Sequence, residues 1–506
     1  MKRTLALLLA VMMLLAATPA LADENYKVIN IGRGGDTVTM DPIFAGDNVD
    51  IWVMNLVFEG LTKSSADGKT IEPCLATSWD ISEDGLTYTF HLREGVRFSN
   101  GQPVTAADWE YSIERSLNDG EWSSLIACIA DVVVVDDNTI DIVLNTPSGS
   151  LLSCLAAFFC VVVPKDYYST TDADVLASAP IGCGPFYLDS WVPETNMCFK
   201  KNPYYWDIGY PLADEINFTV VADDNTRALQ LQAGQLDVIT GITAPMQVML
   251  AANPEIKLCE FPSTHIEYIG INYTSEKLND VRVRQALNYA TDCDALIQSV
   301  YAGIGRRCTS IVWAEAPHFN PNLPTYDYDL EKAKELLAEA GAENLTIRLI
   351  ITAGATDDLM LATILKDQWS KAGITLDIQQ LDGSARREER NGLTYEVLLN
   401  YFTSDITDTA ENMEMFCIYE NYDCWHLGWN GEEQQKAEAL VRQAGSTNDE
   451  AVRLACYQEA QMIMAEQALI VPMCSVPSTV AMHKNVEGFI QTPLGNYLFN
   501  ELTIGE

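Results

Sequence analysis

Histidines, cysteines and paired carboxylates are the groups from which an active site or a metal centre would be built in this chain. The five histidines, His91, His265, His318, His426 and His483, are scattered, with no two at the spacing of shared metal ligands. The 13 cysteines include no C-x-x-C pair, so a zinc site is not expected. No G-x-S-x-G or H-E-x-x-H occurs, which leaves a secreted hydrolase without a nucleophile or a metal. The glycines of "GCGP", Gly182 to Pro185, have no Lys-Ser/Thr after them and suit a tight turn better than a phosphate. These patterns offer no catalytic or metal-binding motif, and no cofactor and no metal are expected.

The elements that would position a binding site alternate between helix and strand. "TYTFHL" alternates, with Tyr88, Phe90 and Leu92 on one face, and predicts a half-buried strand. Asn100–Gly101 marks a turn. Thr105 with Asp108 forms a capping box that opens a helix carrying Trp109 and Ile113. Val132–Val135 and Ile140–Leu144 predict a hairpin around Asp136–Asp137–Asn138. Asp280 caps "VRVRQALNYA", where Val283, Ala286, Leu287 and Ala290 share one helix face. Asp329 and Gly341 bracket a second helix. "LTIRLII", "DLMLATILKDQWSKAG" and "ITLDIQQ" then read strand, helix, strand, which predicts an α/β layer architecture.

At 506 residues the chain is long enough for two or three lobes, and its 48% hydrophobic content supports real cores. Residues 1–22 read as a secretory signal. Lys2 and Arg3 precede the apolar run "TLALLLAVMMLLAA", and Ala20 and Ala22 precede Asp23. The run is shorter than the ~20 residues of a spanning helix. No cysteine stands near the expected cut after Ala22, so no lipid anchor is expected. The net charge is −40, with 71 acidic against 31 basic residues, and loss of Lys2 and Arg3 makes it more negative. Such a surface repels nucleic acid and anionic lipid. Secretion permits disulfides, and Cys417 with Cys424, closing a short loop, is the pair expected to bond. The other cysteines are expected to be small buried hydrophobes.

Six or more segments, in order, carry a resemblance. They include "LVFEGLT" (Leu56–Thr62), "LATSWDISEDGLTYTFHLREGVRFSNGQPVTAADW" (Leu75–Trp109), "IGCGPFYLDSW" from Ile181 and "KNPYYWD" from Lys201. "LQAGQLDV", "DVRVRQALNYATD" and "YDLEKAKELLAEAG" follow. Over nearly the whole mature chain the sequence resembles family 5 extracellular solute-binding proteins of ABC importers, the group that includes dipeptide-, oligopeptide- and nickel-binding proteins. The resemblance implies an α/β, two-lobed, type II periplasmic-binding-protein-like fold with an extra inserted domain and a ligand cleft between the lobes. Lobe one would combine residues 23–62, 178–264 and 475–506. The inserted small domain would be 63–177, attached to lobe one, and lobe two 265–474. Two crossings between the lobes would act as a hinge.

The resemblance also implies the function: capture of peptides, without chemistry, for delivery to a membrane ABC permease by a periplasmic or extracellular monomer. Presentation of the ligand to a chemoreceptor stays open. So do non-peptide solutes: an oligosaccharide, an amino-acid conjugate, or a nickel or other metal chelate. In peptide-binding members one Asp pairs with the ligand α-ammonium. Asp405, in "LLNYFTSDITDTAENM", matches it, although Ile406, Thr407 and Thr409 replace the family's usual Tyr and Pro. Asp405 is thus an ammonium partner or a loop cap. Phe402, Thr403 and Ser404 would offer backbone groups to an extended ligand. Trp425 would line a side-chain pocket or belong to the core, and Asn48 would contact ligand from lobe one. Cys183 stands where the family usually has a small hydroxyl residue. Arg386 and Arg387 would meet a ligand carboxylate or lie on an exposed helix face.

Overall fold

The computed structural model describes residues 25–420 and 422–505. The expected signal segment and its cut after Ala22 lie outside the described residues. Among the described residues no helix is long and apolar enough to cross a membrane.

Three sheets organise the chain. A seven-stranded mixed sheet runs, in spatial order, Ile256–Phe261, Ser478–His483, Val238–Ile239, Val28–Arg33, Glu215–Val220, Asn196–Lys201 and Phe186–Val192. Its strands therefore come from three separate stretches of sequence. A four-stranded antiparallel sheet, Ala76–Ile81, Thr87–Leu92, Thr139–Leu144 and Ile129–Asp136, is local in sequence. A six-stranded sheet is ordered Arg306–Arg307, Ile470–Ser475, Ile266–Ile271, Val397–Phe402, Thr346–Thr352 and Thr375–Leu381. Its last two strands are parallel and joined by the helix Thr356–Lys371, a strand–helix–strand unit.

Local chemistry explains the boundaries. Thr105 accepts from the Asp108 N–H, and the Asp108 carboxylate accepts from the Thr105 N–H, so the capping box closes in both directions at the start of Ala106–Asp119. Asp280 caps Val281–Tyr289, and Asp329 caps Leu330–Glu339. Gly341, just past the latter, takes φ +68°, where only glycine is unstrained.

The chain passes between the seven- and six-stranded sheets twice, through residues 262–265 and 476–477. The two passages touch, with the Val476 N–H donating to the His265 carbonyl at 3.3 Å. The four-stranded unit does not sit on the seven-stranded sheet alone. Its buried Tyr88, Phe90, Trp109 and Cys154 are continuous with Phe416 and Tyr457, on the helices Ala410–Cys417 and Glu450–Glu466 that lie, in sequence, between two strands of the six-stranded sheet. Ser153 and Thr407 hydroxyls bond across this junction at 3.1 Å.

The expected Cys417–Cys424 disulfide is absent, and both residues are thiols. Cys417 ends the helix Ala410–Cys417 and aims its sulfur at Met464 Sδ, 3.4 Å away. Cys424 lies in the next short helix, Tyr422–His426, with φ +49°. A short loop in sequence is not sufficient for a disulfide, which needs a specific geometry of both residues.

Candidate functional site

All three sheet units meet at a cleft of about 620 Å³, within the usual size range for small-ligand sites. One wall is the start of the helix Asn48–Val57. A second is the segment Glu121–Leu125. The third is the helix Gly383–Asn391, the end of the strand Val397–Phe402, and Trp425.

The placement of Asn48 depends on the glycines of "GCGP". A Cβ on Gly182 would meet the Val57 carbonyl oxygen at 2.1 Å, and the Gly184 N–H donates to that oxygen at 2.8 Å. The two glycines let this backbone close on the helix end rather than cradle a phosphate. Asn48 then sits on the helix's first turn, at the cleft.

Asp405 leaves the strand end and is only 7% exposed. Its backbone N–H and that of Ile406 donate to Glu411 Oε2, at 2.7 and 3.2 Å. Both carboxyl groups line the cleft. Burial alone, with no cation near enough to offset it, pushes Asp405 up to about 7. Burial and then the charge of Asp405 hold Glu411 well above the usual carboxylate range.

Phe402, Thr403 and Trp425 also reach the cleft. Phe402 is mostly buried and meets Trp425 edge-on at 5.9 Å. Ser404 does not line it. Its N–H donates to Thr264 Oγ1 at 2.9 Å and its hydroxyl pairs with Asn412 Oδ1 at 2.9 Å, so it braces the loop and offers nothing to a ligand. Arg386 and Arg387 reach the cleft with Arg390, whose guanidinium lies 5.5 Å from the Trp425 ring centre. The exposed-face alternative fits Arg387, whereas Arg386 and Arg390 are half-buried.

Glu411, Arg390, Trp122 and His426 are cleft residues that the sequence reading did not single out. The recurrence of acids at 405, 408 and 411 was a signal for Glu411. Burial, and then Arg390, lower His426 to about 4, so it is neutral at pH 7. A second cavity of about 670 Å³ lies against the two passages, but its Arg306 is already paired with Glu315. Among the described residues no group of three His, Cys, Asp or Glu side chains is arranged to hold a metal.

The Asp405 value sets a pH dependence. Binding of an ammonium requires the ionised carboxylate. Below pH 7 the ligand must displace a proton, and affinity for an amine ligand should fall by roughly tenfold per pH unit, until the ligand-bound Asp405 itself protonates. Calorimetric titrations between pH 8 and 5.5 measure this, and a flat profile would remove Asp405 from the contact.

Comparison with known proteins places this geometry. The family model described as bacterial extracellular solute-binding proteins, family 5 Middle, matches residues 70–423. The chain is 29% identical to heme-binding protein A of Haemophilus influenzae, over 88% of this chain and 87% of that one. It is 29% identical to the dipeptide-binding protein of Escherichia coli, over 85% and 86%. Among solved structures it resembles the ABC transporter-associated periplasmic binding protein DppA of Helicobacter pylori in complex with the peptide STSA. The TM-score is 0.84 at 26% identity, with 96% of this chain and 100% of that one covered.

Proposed function

The chain belongs to the bacterial extracellular solute-binding proteins, family 5, and from that premise we propose that it captures short peptides by their free α-ammonium, beside Asp405. It hands them to a membrane ABC permease and makes or breaks no bond. It works as a monomer, exported through the signal segment expected at residues 1–22.

The observation that carries the reading is a buried carboxyl pair, Asp405 and Glu411, at an open cleft, with no cation near enough to Asp405 to offset its burial. A buried anion is stabilised only when it is paired, and a peptide amino group supplies the missing charge with charge-assisted hydrogen bonds of about 1.5–3 kcal/mol. The peptide reading also draws on the dipeptide-binding relative and the peptide-bound DppA. The heme-binding relative names another ligand, but no feature of this cleft favours a porphyrin over a peptide.

The two short passages at 262–265 and 476–477 would act as the hinge on which the cleft closes. Short free peptides should bind in calorimetry, and at saturation small-angle scattering should show a smaller radius of gyration. Binding with an unchanged radius would remove closure. No binding by any free peptide would remove the peptide reading.

A further inference from the structure

The helix Gly383–Asn391 carries an arginine cluster that the capture of an ammonium does not use. Arg386, Arg387 and Arg390 all line the cleft. Among the described residues none of them forms an ion pair with an acidic side chain. The chain has 71 acidic residues to 31 basic ones, so counterions are abundant. The same helix holds Glu389, whose carboxylate grips Arg348 with both oxygens, at 3.0 and 2.5 Å, rather than an arginine of its own helix. Among the described residues the cluster is therefore left without an acidic partner.

The arginines are also partly withdrawn from water. The Arg386 Nε is buried and has no hydrogen-bond partner, while its Nη2 donates to the Leu399 carbonyl and, at 3.4 Å, to Asn400 Oδ1. Burial lowers Arg390, and the like charges of Arg386 and Arg387 lower it further. Three guanidinium groups at close quarters repel one another, and an anion between them relieves the repulsion and fills the donor left vacant on Arg386. The acidic and basic poles of the cleft are separate: Asp405 feels no arginine strongly enough to offset its burial. Asp47 and Glu121 reach the cleft from the other walls, but both are exposed and hydrated.

The charges of the enclosed surface do not balance. At its enclosed end the buried Asp405–Glu411 pair, which burial holds back from full ionisation, stands with two half-buried arginines, Arg386 and Arg390, while the exposed Arg387, Asp47 and Glu121 lie at the rim. The geometry points to a ligand with one ammonium and two carboxylates: a short acidic peptide of net negative charge, its amine at Asp405 and its two anionic groups among Arg386, Arg387 and Arg390. This rests on the peptide reading above and narrows it. It also reconciles a strongly acidic protein with an anionic cargo, because the basic patch is confined to the cleft and exposed charges more than about 8 Å apart are largely screened at physiological salt.

The test uses the full mature protein and the dipeptides Ala-Glu and Ala-Gln, which differ in one charge and little in shape. In calorimetry Ala-Glu should bind at least tenfold more tightly than Ala-Gln. In the double variant Arg386→Gln/Arg390→Gln, checked by thermal unfolding to be folded, that gap should shrink to threefold or less. If Ala-Gln binds within threefold of Ala-Glu, or the gap survives the double variant, the acidic-peptide inference is overturned while peptide capture stands. If neither dipeptide binds but free glutamate binds in an arginine-dependent way, the anionic specificity stands and the peptide reading falls. If none of the three binds, both fall.

Discussion

Asp405→Ala is expected to weaken the binding of a free peptide by a factor of a hundred or more. On the proposed reading, closure of the cleft would enclose the ligand ammonium against Asp405. Removing the carboxylate strands that charge in a dry site, a loss of about 3–5 kcal/mol. Each tenfold in affinity is about 1.4 kcal/mol. Glu411 cannot take over, because its Oε2 already accepts from two backbone N–H groups and its burial disfavours the charged form. Acetylating the peptide amine should reproduce the loss on the wild-type protein and add little on the variant. Calorimetry on one peptide, its acetylated form and both proteins measures this. Changes below about threefold, or ~0.65 kcal/mol, from both modifications would make Asp405 a loop cap.

Asp405→Asn gives a second readout of the same contact, with opposite signs in its two parts. The folded carboxyl sits near 7, above its ordinary value in the unfolded chain. Between those two values the folded state holds a proton that the unfolded state has released. Ligand-free stability from this group is therefore present at low pH, is lost as pH rises through that window, and is gone above about pH 7. An uncharged amide escapes the loss. At pH 8 the variant should melt higher than wild type without ligand and bind peptide far more weakly. A site that costs stability in order to bind is expected to behave this way.

Much of the scaffold was legible because its signals are local. The Thr105–Asp108 capping box and the aspartates at 280 and 329 act within three residues of themselves, and the helices begin where they stand. The order of the segments carried the family, and through it Asp405. The rest of the site arises from convergence in space. Arg386 and Arg387 stand out in the sequence and Arg390, one turn on, does not, because spacing does not say whether a stripe faces a cleft or the solvent. Phe402, Thr403 and Ser404 are expected to offer backbone groups to a ligand, but the Ser404 N–H goes to Thr264 Oγ1 and its hydroxyl to Asn412. Cys417 and Cys424 are thiols, since seven residues of separation do not by themselves set disulfide geometry.

Arg453→Met should be the most destabilising single change near the site, through the loop that presents Asp405. Asp408 lies three residues past Asp405 and accepts from Arg453 at 2.7 Å, with both side chains buried. Asp408 also accepts from the Ala410 N–H at 2.8 Å, which fixes the start of the helix that carries Glu411. Glu414 lies near enough for Asp408 to raise it, after burial, and for Arg453 to lower it, to a final value of about 7. On the other side Gly149, from the four-stranded unit, covers the guanidinium so closely that a Cβ would meet Arg453 Cδ at 2.6 Å. Removing the cation leaves Asp408 buried and unpaired, and unfolding in urea should show a loss of about 3–5 kcal/mol. Peptide affinity should fall with it, because the Asp405 turn loses its anchor. The double variant Asp408→Asn/Arg453→Met strands no charge and should recover most of the stability. A loss below about 1 kcal/mol in the single variant would show that water reaches Asp408 and that the pair is worth no more than an exposed one. Recovery of stability without recovery of affinity would show that the charge of Asp408, and not only the folding of its loop, sets the position of Asp405.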